Sequence, residues 1–282
     1  MRQKGNQDFL PVARGVLRPE EAQKAFRLQL FPAHPELRPW VEYYWSVSWD
    51  LGDQSFDQTV VTNPTIDLSF EEDEGTNGPG RHLVVTGVAP RSYRRHLTGK
   101  GDVIAVHFLP GQFRSWWQKG VQSLTGRALN LGSGTRPWEA PAAALLPHLL
   151  DQSPEERVLI LDDFLLGYRP AADPVANEIQ RLVAASRDDR DLWSPLVMAN
   201  LRAVSPRTNQ RQFLEYVGVG PKWVLMRHRI QAALLALDAA RTAGVVPDLT
   251  DLALDLGWYD QAHFSREFKN LVGVSPDSYR RT

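Results

Sequence analysis

The 282-residue sequence contains no cysteine. Disulfides, thiolate-held zinc and thiol nucleophiles are thereby excluded, and the absence fits a cytoplasmic protein, where disulfides are rare. Nowhere do about 18 consecutive apolar residues occur, so no membrane span is expected. The opening stretch MRQKGNQDFLPVARG has neither the apolar run nor the small-residue cleavage site of a secretory signal. Neither sign of charge dominates, since 32 Lys and Arg stand against 33 Asp and Glu for a net of −1. From Val175 onward 14 basic residues meet 12 acidic ones, a net of only +2. Nucleic-acid binding by bulk positive charge typifies domains with pI above about 9, so here it would need local placement. A glycine-rich phosphate loop, a nucleophile elbow and a paired-carboxylate motif are all missing, so nothing marks the chain as an enzyme.

What is present is ordinary globular composition, 43% hydrophobic and 23% charged, in a length that suits two domains of about 100–200 residues each. A short helix is expected over Pro19–Arg27, where Pro-Glu-Glu reads as a start signal. Between Trp40 and Phe108 the pattern becomes strand-like. Val41–Trp49, Gln58–Thr62, Ile66–Phe70, His82–Thr86 and Val103–Phe108 are rich in β-branched and aromatic residues, and turn-forming stretches such as Asp50–Ser55 and Glu71–Gly80 separate them. Short strands at this spacing predict a sandwich or small barrel. Helices follow from Gly111–Trp117 and Pro154–Leu166, with Trp116 and Trp117 anchoring the first on the sheet. Tyr168–Pro174, with two prolines, reads as a linker. The expected organisation is therefore an α+β domain over 1–168, a linker at 169–175 and an all-α domain over 176–282.

An internal repeat dominates the C-terminal part. Ser205–Lys222, SPRTNQRQFLEYVGVGPK, aligns without gaps to Asp260–Asp277, DQAHFSREFKNLVGVSPD, at an offset of 55 residues. Arg211 pairs with Arg266, Phe213 with Phe268, Val217-Gly218-Val219 with Val272-Gly273-Val274, Pro221 with Pro276 and, upstream, Leu201 with Leu256. In the second copy Thr250 is expected to cap a helix over Asp251–Leu256. Gly257 supplies the left-handed residue that ends it, and Trp258-Tyr259 completes the short turn of a helix-turn-helix. Asp260 then caps a helix with Phe264, Phe268 and Leu271 on one stripe. Its other faces carry Gln261, Ala262, Ser265 and Arg266. Arg can grip guanine bidentately and Gln adenine, so this face suits the major groove. In the first copy Leu196–Arg202 supports, Ser205 caps, Pro206 takes the first helical position, and Arg207, Gln210 and Arg211 face outward. Asn209 stands where the second copy has Phe264, a polar residue in a core stripe, so this copy should pack differently. Between the copies Pro221–Arg241 predicts one helix of roughly 30 Å, close to one turn of B-DNA, the separation at which two reading heads meet successive major grooves.

This region resembles the C-terminal domain of AraC/XylS-type transcription regulators. The second motif, DLALDLGWYDQAHFSREFKNLVGVSPDSYRR, matches the closing signature of that family nearly completely, and VSPRTNQRQFLEYVGVGPK matches its first motif apart from Asn209. The resemblance covers roughly Pro174–Thr282 and implies double-stranded DNA as partner. It also implies base-facing roles for Arg207, Gln210 and Arg211 in one helix and for Gln261, Ala262, Ser265 and Arg266 in the other. Ahead of it LRPWVEYYWSV, NPTIDLSF and VIAVHFLPGQF resemble the β-rich N-terminal domain of one branch of these regulators. Such domains sense a small molecule or mediate pairing, so an effector, a homodimer and contact with RNA polymerase are the implied partners, with no membrane, cofactor or metal. The cysteine-dependent DNA-repair relatives are excluded by composition.

Blander roles stand beside these. Arg211 and Arg266 could grip phosphate or pair with a neighbouring carboxylate, and Trp258 and Tyr259 are expected to pack rather than stack on DNA. His263 could touch phosphate or pack. His34, His82, His96 and His107 lack the pair spacing of a zinc site. Alternation places Tyr43, Trp45 and Trp49 on one strand face and Trp40 and Tyr44 on the other. If the first face lines a cavity, it suits a flat apolar or cationic ligand. Two rival classes remain: a β-barrel enzyme with an accessory DNA domain, and a ligand-blind architectural DNA binder.

Overall fold

The computed structural model describes residues 22, 24–61, 63–73, 80–132, 134 and 136–281. The helix expected over Pro19–Arg27 lies largely outside them. Ala22, Lys24 and Ala25 are helical, and Arg27 already opens a strand. The N-terminal part is a six-stranded antiparallel sheet, with β1 Arg27–Phe31, β2 Val41–Val60, β3 Asp67–Asp73, β4 Gly80–Thr86, β5 Tyr93–Phe108 and β6 Ala128–Asn130 in the order β1-β2-β5-β3-β4-β6.

Two strands exceed their expected lengths. The stretch Asp50–Ser55 does not break the chain into two strands, because β2 runs on past it and pairs with β5 on both sides. The register shift between Asp50 and Ser55 absorbs the turn-forming residues as a bulge, which bends a strand without ending it. Val41–Trp49 and the start of Gln58–Thr62 are thus halves of one strand, with Thr62 itself outside the described residues. The edge strands β1 and β6 are short and only partly buried, so they carry too little pattern to be read from sequence.

Alternation then does what the sequence predicts. Tyr44, Leu68, Phe70, Ile104, Val106 and Phe108 point to one face and share a core with α1 (Phe113–Trp117), α2 (Glu139–Leu149) and α3 (Pro154–Tyr168). Trp116 and Trp117 are both buried there, the Trp116 ring 5.8 Å from that of Phe108. The Tyr44 hydroxyl donates to Asp162 on α3 at 2.6 Å, which ties helix to sheet through the core.

After α3 an extended stretch leads to α4 (Pro174–Asp188). Then come α5 (Pro195–Leu201), α6 (Pro206–Val217), α7 (Pro221–Thr242), α8 (Leu249–Asp255), α9 (Gln261–Val272) and α10 (Pro276–Arg281). The helical part has two cores. Phe213, Val217 and Val224 lie in one, and Ile230, Leu234, Phe264, Phe268 and Leu271 in the other. Each core also takes one valine from the sheet part. Val88 sits with Phe213 and Val217, and Val61 sits with Ile230 and Ala233, both valines at most 1% exposed. Polar contacts cross at the same places. Ser92 N–H donates to the Leu271 carbonyl at 3.0 Å, the Trp223 indole to that of Pro90 at 3.0 Å, and Thr125 to that of Gly218 at 2.6 Å.

Candidate nucleic-acid interface and ligand cavity

In the second motif Asp248, not Thr250, caps α8. Its carboxylate accepts from the amides of Thr250 and Asp251, and these bonds hold it below the usual carboxylate range. The helix starts two residues earlier than expected, at Leu249, which places Asp248 where its side chain can accept from the free amides of the first turn. Thr250 does something the sequence does not announce. Its hydroxyl donates to the side-chain oxygen of Gln261 at 3.0 Å, which orients a residue expected to face the major groove. Gly257 has φ 73°, as the turn requires. Asp260 caps α9, accepting from the His263 amide at 2.6 Å. Phe264, Phe268 and Leu271 are buried, Gln261, Ala262 and Arg266 exposed, and Ser265 half-buried. His263 packs edge-on against Trp258, ring centres 5.2 Å apart. Packing holds for Trp258 but not for Tyr259, which is 88% exposed.

The first motif departs from the repeat in its turn. Helix α5 ends at Leu201 with Arg202 as its cap residue, and Ala203 takes the left-handed conformation at φ 51° before Val204 and the Ser205 cap. In the second motif Leu256 is the cap residue, and two residues, Trp258 and Tyr259, separate Gly257 from Asp260. The first turn is therefore one residue shorter, and Tyr259 occupies the extra position. This shift overturns the pairing of Leu201 with Leu256, for Leu201 is 60% exposed and Leu256 is buried. The structural counterpart of Leu256 is Arg202, whose buried guanidinium donates to Asn209 at 2.8 Å, to Glu178 at 3.0 Å and to Gln212 at 2.7 Å. A polar pair, Arg202 and Asn209, stands where Leu256 and Phe264 stand in the second motif. Asn209 is satisfied in its core, as a buried amide must be.

Ser205 caps α6 by accepting from the Thr208 amide at 3.1 Å. Arg207, Gln210 and Arg211 are exposed on it. Arg211 lies 3.9 Å from Glu215, a weak i, i+4 pair, while Arg207 and Arg266 have no carboxylate partner among the described residues. The outer side of α6 shares a groove with Gly120 and Gln122 of the sheet part, and Arg114 reaches across to Glu215 at 2.9 Å. Helix α7 joins the motifs with 22 residues, about 33 Å at 1.5 Å per residue. Arg229 on it donates to the Trp193 carbonyl at 3.0 Å and the Gly257 carbonyl at 3.2 Å, with its guanidinium over both the Trp193 and Trp258 rings. One side chain thus ties the chain before the first motif to the turn of the second.

The other face of the sheet encloses a cavity of about 220 Å³. Tyr43, Trp45 and Trp49 line it together, whereas Trp40 and Tyr44 lie in the helix-covered core. Both halves of β2 contribute, Trp45 and Trp49 from before the bulge and Gln58 and Val60 from after it. Gly101 is indispensable here, because a Cβ at this position would lie 2.0 Å from the Trp49 ring. At the polar end Asp67 accepts from the Trp45 indole at 3.1 Å and from Nδ1 of His107 at 2.7 Å. The His107 ring stacks on Tyr43 with centres 4.5 Å apart. Burial works against a charged imidazole, but the charge and hydrogen bond of Asp67, helped by Glu42, outweigh it and raise the His107 pKa. Arg95 donates to Glu71 at 2.8 Å and to Asp73 at 3.2 Å. Among the described residues no group of three or more His, Asp or Glu side chains is disposed to hold a metal, and no helix is long and apolar enough to cross a membrane.

Two helix-turn-helix motifs with exposed polar faces are set against a sheet with a hollow face, and comparison with known proteins gives this arrangement its class. Residues 198–282 match the family described as "Helix-turn-helix domain", and residues 29–130 match "Domain of unknown function (DUF6597)". The chain carries an AraC-type helix-turn-helix domain behind a DUF6597 domain. It is 29% identical over 160 residues to a protein of Streptomyces lividans described as an AraC-like transcription regulator, covering 57% of this chain and 48% of that one. A protein of Streptomyces antibioticus with the same description is 30% identical over 140 residues, 50% of this chain and 43% of that one. The chain spans between a third and a half of the length of the curated relatives it matches. Among solved structures, ToxT of Vibrio cholerae aligns over 91% of this chain and 98% of its own at 12% identity and a TM-score of 0.37. The C-terminal domain of AraT, a response regulator from Geobacillus stearothermophilus, aligns over 39% and 87% at 23% identity and a TM-score of 0.33. The curated relatives are described as transcription regulators.

Proposed function

We propose that the protein is a sequence-specific transcription regulator that reads two successive major grooves and whose DNA affinity is set by a small molecule held in the sheet part. The reading of DNA rests on one observation: two capped helices, α6 and α9, display Arg207, Gln210, Arg211, Gln261, Ala262 and Arg266 to solvent, with Ser265 half-exposed among them, at the two ends of a helix about as long as one DNA turn. The small-molecule half is favoured by Val61, which both lines the cavity and lies in the core of the second motif, so a change in cavity shape reaches the core that α7 shares with α9. Pairing of two copies and contact with RNA polymerase belong to the same proposal, as does the boundary at 169–175, between the end of α3 and the start of α4.

The test is a pair of affinity measurements. Genome-wide mapping of bound DNA supplies the cognate site, and Arg266→Ala and Gln261→Ala are each titrated against it and against random duplex. Base contacts are worth about 1–3 kcal/mol each, so cognate binding should fall roughly five- to 150-fold while random binding falls little. Equal losses on both DNAs would demote these residues to phosphate contacts.

A further inference from the structure

The positive charge that the chain as a whole lacks is gathered in one part of the sheet. From Gly75 to Trp138 nine Lys and Arg stand with a single acidic residue, Asp102, and Arg157 holds both oxygens of that carboxylate. Six of the nine meet carboxylates: Arg81, Arg94, Arg95, Lys100, Arg114 and Arg136. The three without a carboxylate partner among the described residues, Arg91, Lys119 and Arg127, are all exposed. They stand in the two segments that dock at the ends of α6 and α9. Arg91 lies next to Ser92, which bonds the Leu271 carbonyl, while Lys119 and Arg127 flank the segment whose Thr125 bonds the Gly218 carbonyl.

The second segment walls a groove. Gly120 and Gln122 line one side, and Arg207, Thr208, Gln210 and Arg211 of α6 line the other. Glu215, the one carboxylate of the lining, is already bonded to Arg114 at 2.9 Å. The wall is held in place, because Val121 and Leu124 around Gln122 are at most 1% exposed in the core of the sheet part. Gln122 lies back over Gly120, where a Cβ would come within 2.2 Å of its side-chain oxygen. A helix with its side chains is about 10–12 Å across and the major groove of B-DNA about 12 Å wide. A helix seated there fills it, so a sugar–phosphate ridge runs along each flank. The groove beside α6 lies on such a flank, and it offers amide and guanidinium donors with its only carboxylate paired.

We propose that the sheet part itself binds DNA: the groove between Gly120–Gln122 and α6 takes one sugar–phosphate ridge, Gln122 donates to a phosphate oxygen, and Lys119 and Arg127 add positive charge beside it. The inference rests on the reading that α6 enters a major groove, and it extends that interface to the N-terminal part. It is tested on the full chain by titrating the cognate site and a random duplex at several salt concentrations. Gln122 is exposed, so its variants leave the core untouched. Gln122→Ala should weaken both duplexes by a similar factor, roughly tenfold, the scale of one hydrogen bond to a charged acceptor. Gln122→Lys should tighten both and steepen the slope of log affinity against log salt by about 0.9, the worth of one added phosphate contact, and Gln122→Glu should weaken both. Lys119→Ala with Arg127→Ala should flatten that slope. The same charge changes at Gln54, exposed in the bulge of β2, should leave it as it is. A wall that keeps DNA out predicts the opposite sign, tighter binding by Gln122→Ala. That result, or equal slopes for the Gln122 and Gln54 variants, would overturn the proposal. Equal binding of cognate and random duplex by the wild type refutes sequence-specific reading, and the Gln122 series on random duplex still decides the groove. Intact sequence preference with no response to Gln122 refutes the groove alone.

Discussion

The polar core of the first motif can be exchanged for the apolar core of the second, and the thermodynamic outcome follows from the contacts. Arg202→Leu leaves the buried side-chain oxygen of Asn209 without its donor, a cost of about 2 kcal/mol. Glu178 and Gln212 add little, since both are partly exposed and regain water. Asn209→Phe strips one guanidinium nitrogen of its acceptor and inserts an aromatic ring beside a buried charge, about 3 kcal/mol. Both changes together recreate the Leu256–Phe264 pairing and remove the charge with its partner. Such replacements are often neutral or stabilising, so the double variant should cost no more than about 2 kcal/mol where additivity predicts about 5. The coupling of about 3 kcal/mol lies at the top of the range for residues in contact. Because a chain with two parts need not unfold in one step, the proper assay is native-state amide exchange across α5 and α6. There about 3 kcal/mol raises the opening equilibrium more than 100-fold. If the double variant exchanges as fast as the two single penalties summed, Arg202 and Asn209 are not a unit and the equivalence of the two cores fails.

Two further perturbations probe the cavity. Gly101→Ala puts a methyl into the Trp49 ring, which its indole bond to the Thr98 carbonyl at 3.0 Å holds in place; overpacking of this kind costs about 1–3 kcal/mol, seen as a lowered melting temperature with altered Trp49 fluorescence, and an unchanged melt would mean the ring is free to move. His107 faces Asp67, Glu42, Tyr43 and the more distant Arg187, and its pKa in the fold is raised from 6.5. The stability it supplies is therefore full below pH 6.5 and lost as pH climbs through the raised value. The melting-temperature gap between the wild type and His107→Asn should accordingly be widest near pH 6 and narrow towards pH 9, and a gap that widens with pH would contradict the Asp67 partnership.

The reading helices are legible in sequence because caps, a left-handed glycine and a stripe such as Phe264, Phe268 and Leu271 are all local signals. The hollow face of the sheet is legible for the same reason, since alternation alone sorts Tyr43, Trp45 and Trp49 from Trp40 and Tyr44. What the sequence conceals is whatever depends on distant partners or on a single-residue shift. An ungapped repeat cannot reveal that the first turn is one residue shorter, so Leu201 is matched to Leu256 when Arg202 is its counterpart. Thr250 reads as a cap, yet Asp248 does that work because the helix begins earlier. Asp50–Ser55 has turn-forming composition, but pairing with β5 on both sides carries the strand through it. Arg229 and the His107–Asp67 bond join residues 28 or more positions apart, and no periodicity reports them.

Val61 and Val88 give the division of labour between the two parts a particular meaning. A polypeptide beginning at Pro174 would contain every residue of both reading motifs, yet each of its cores would carry a hole the size of a valine side chain, open to water where the sheet now plugs it. The sheet is thus a missing piece of the helical interior as well as its neighbour. Any exchange of this sheet for another would have to bring two apolar loop residues at the same separation, or leave both reading helices resting on hollow ground.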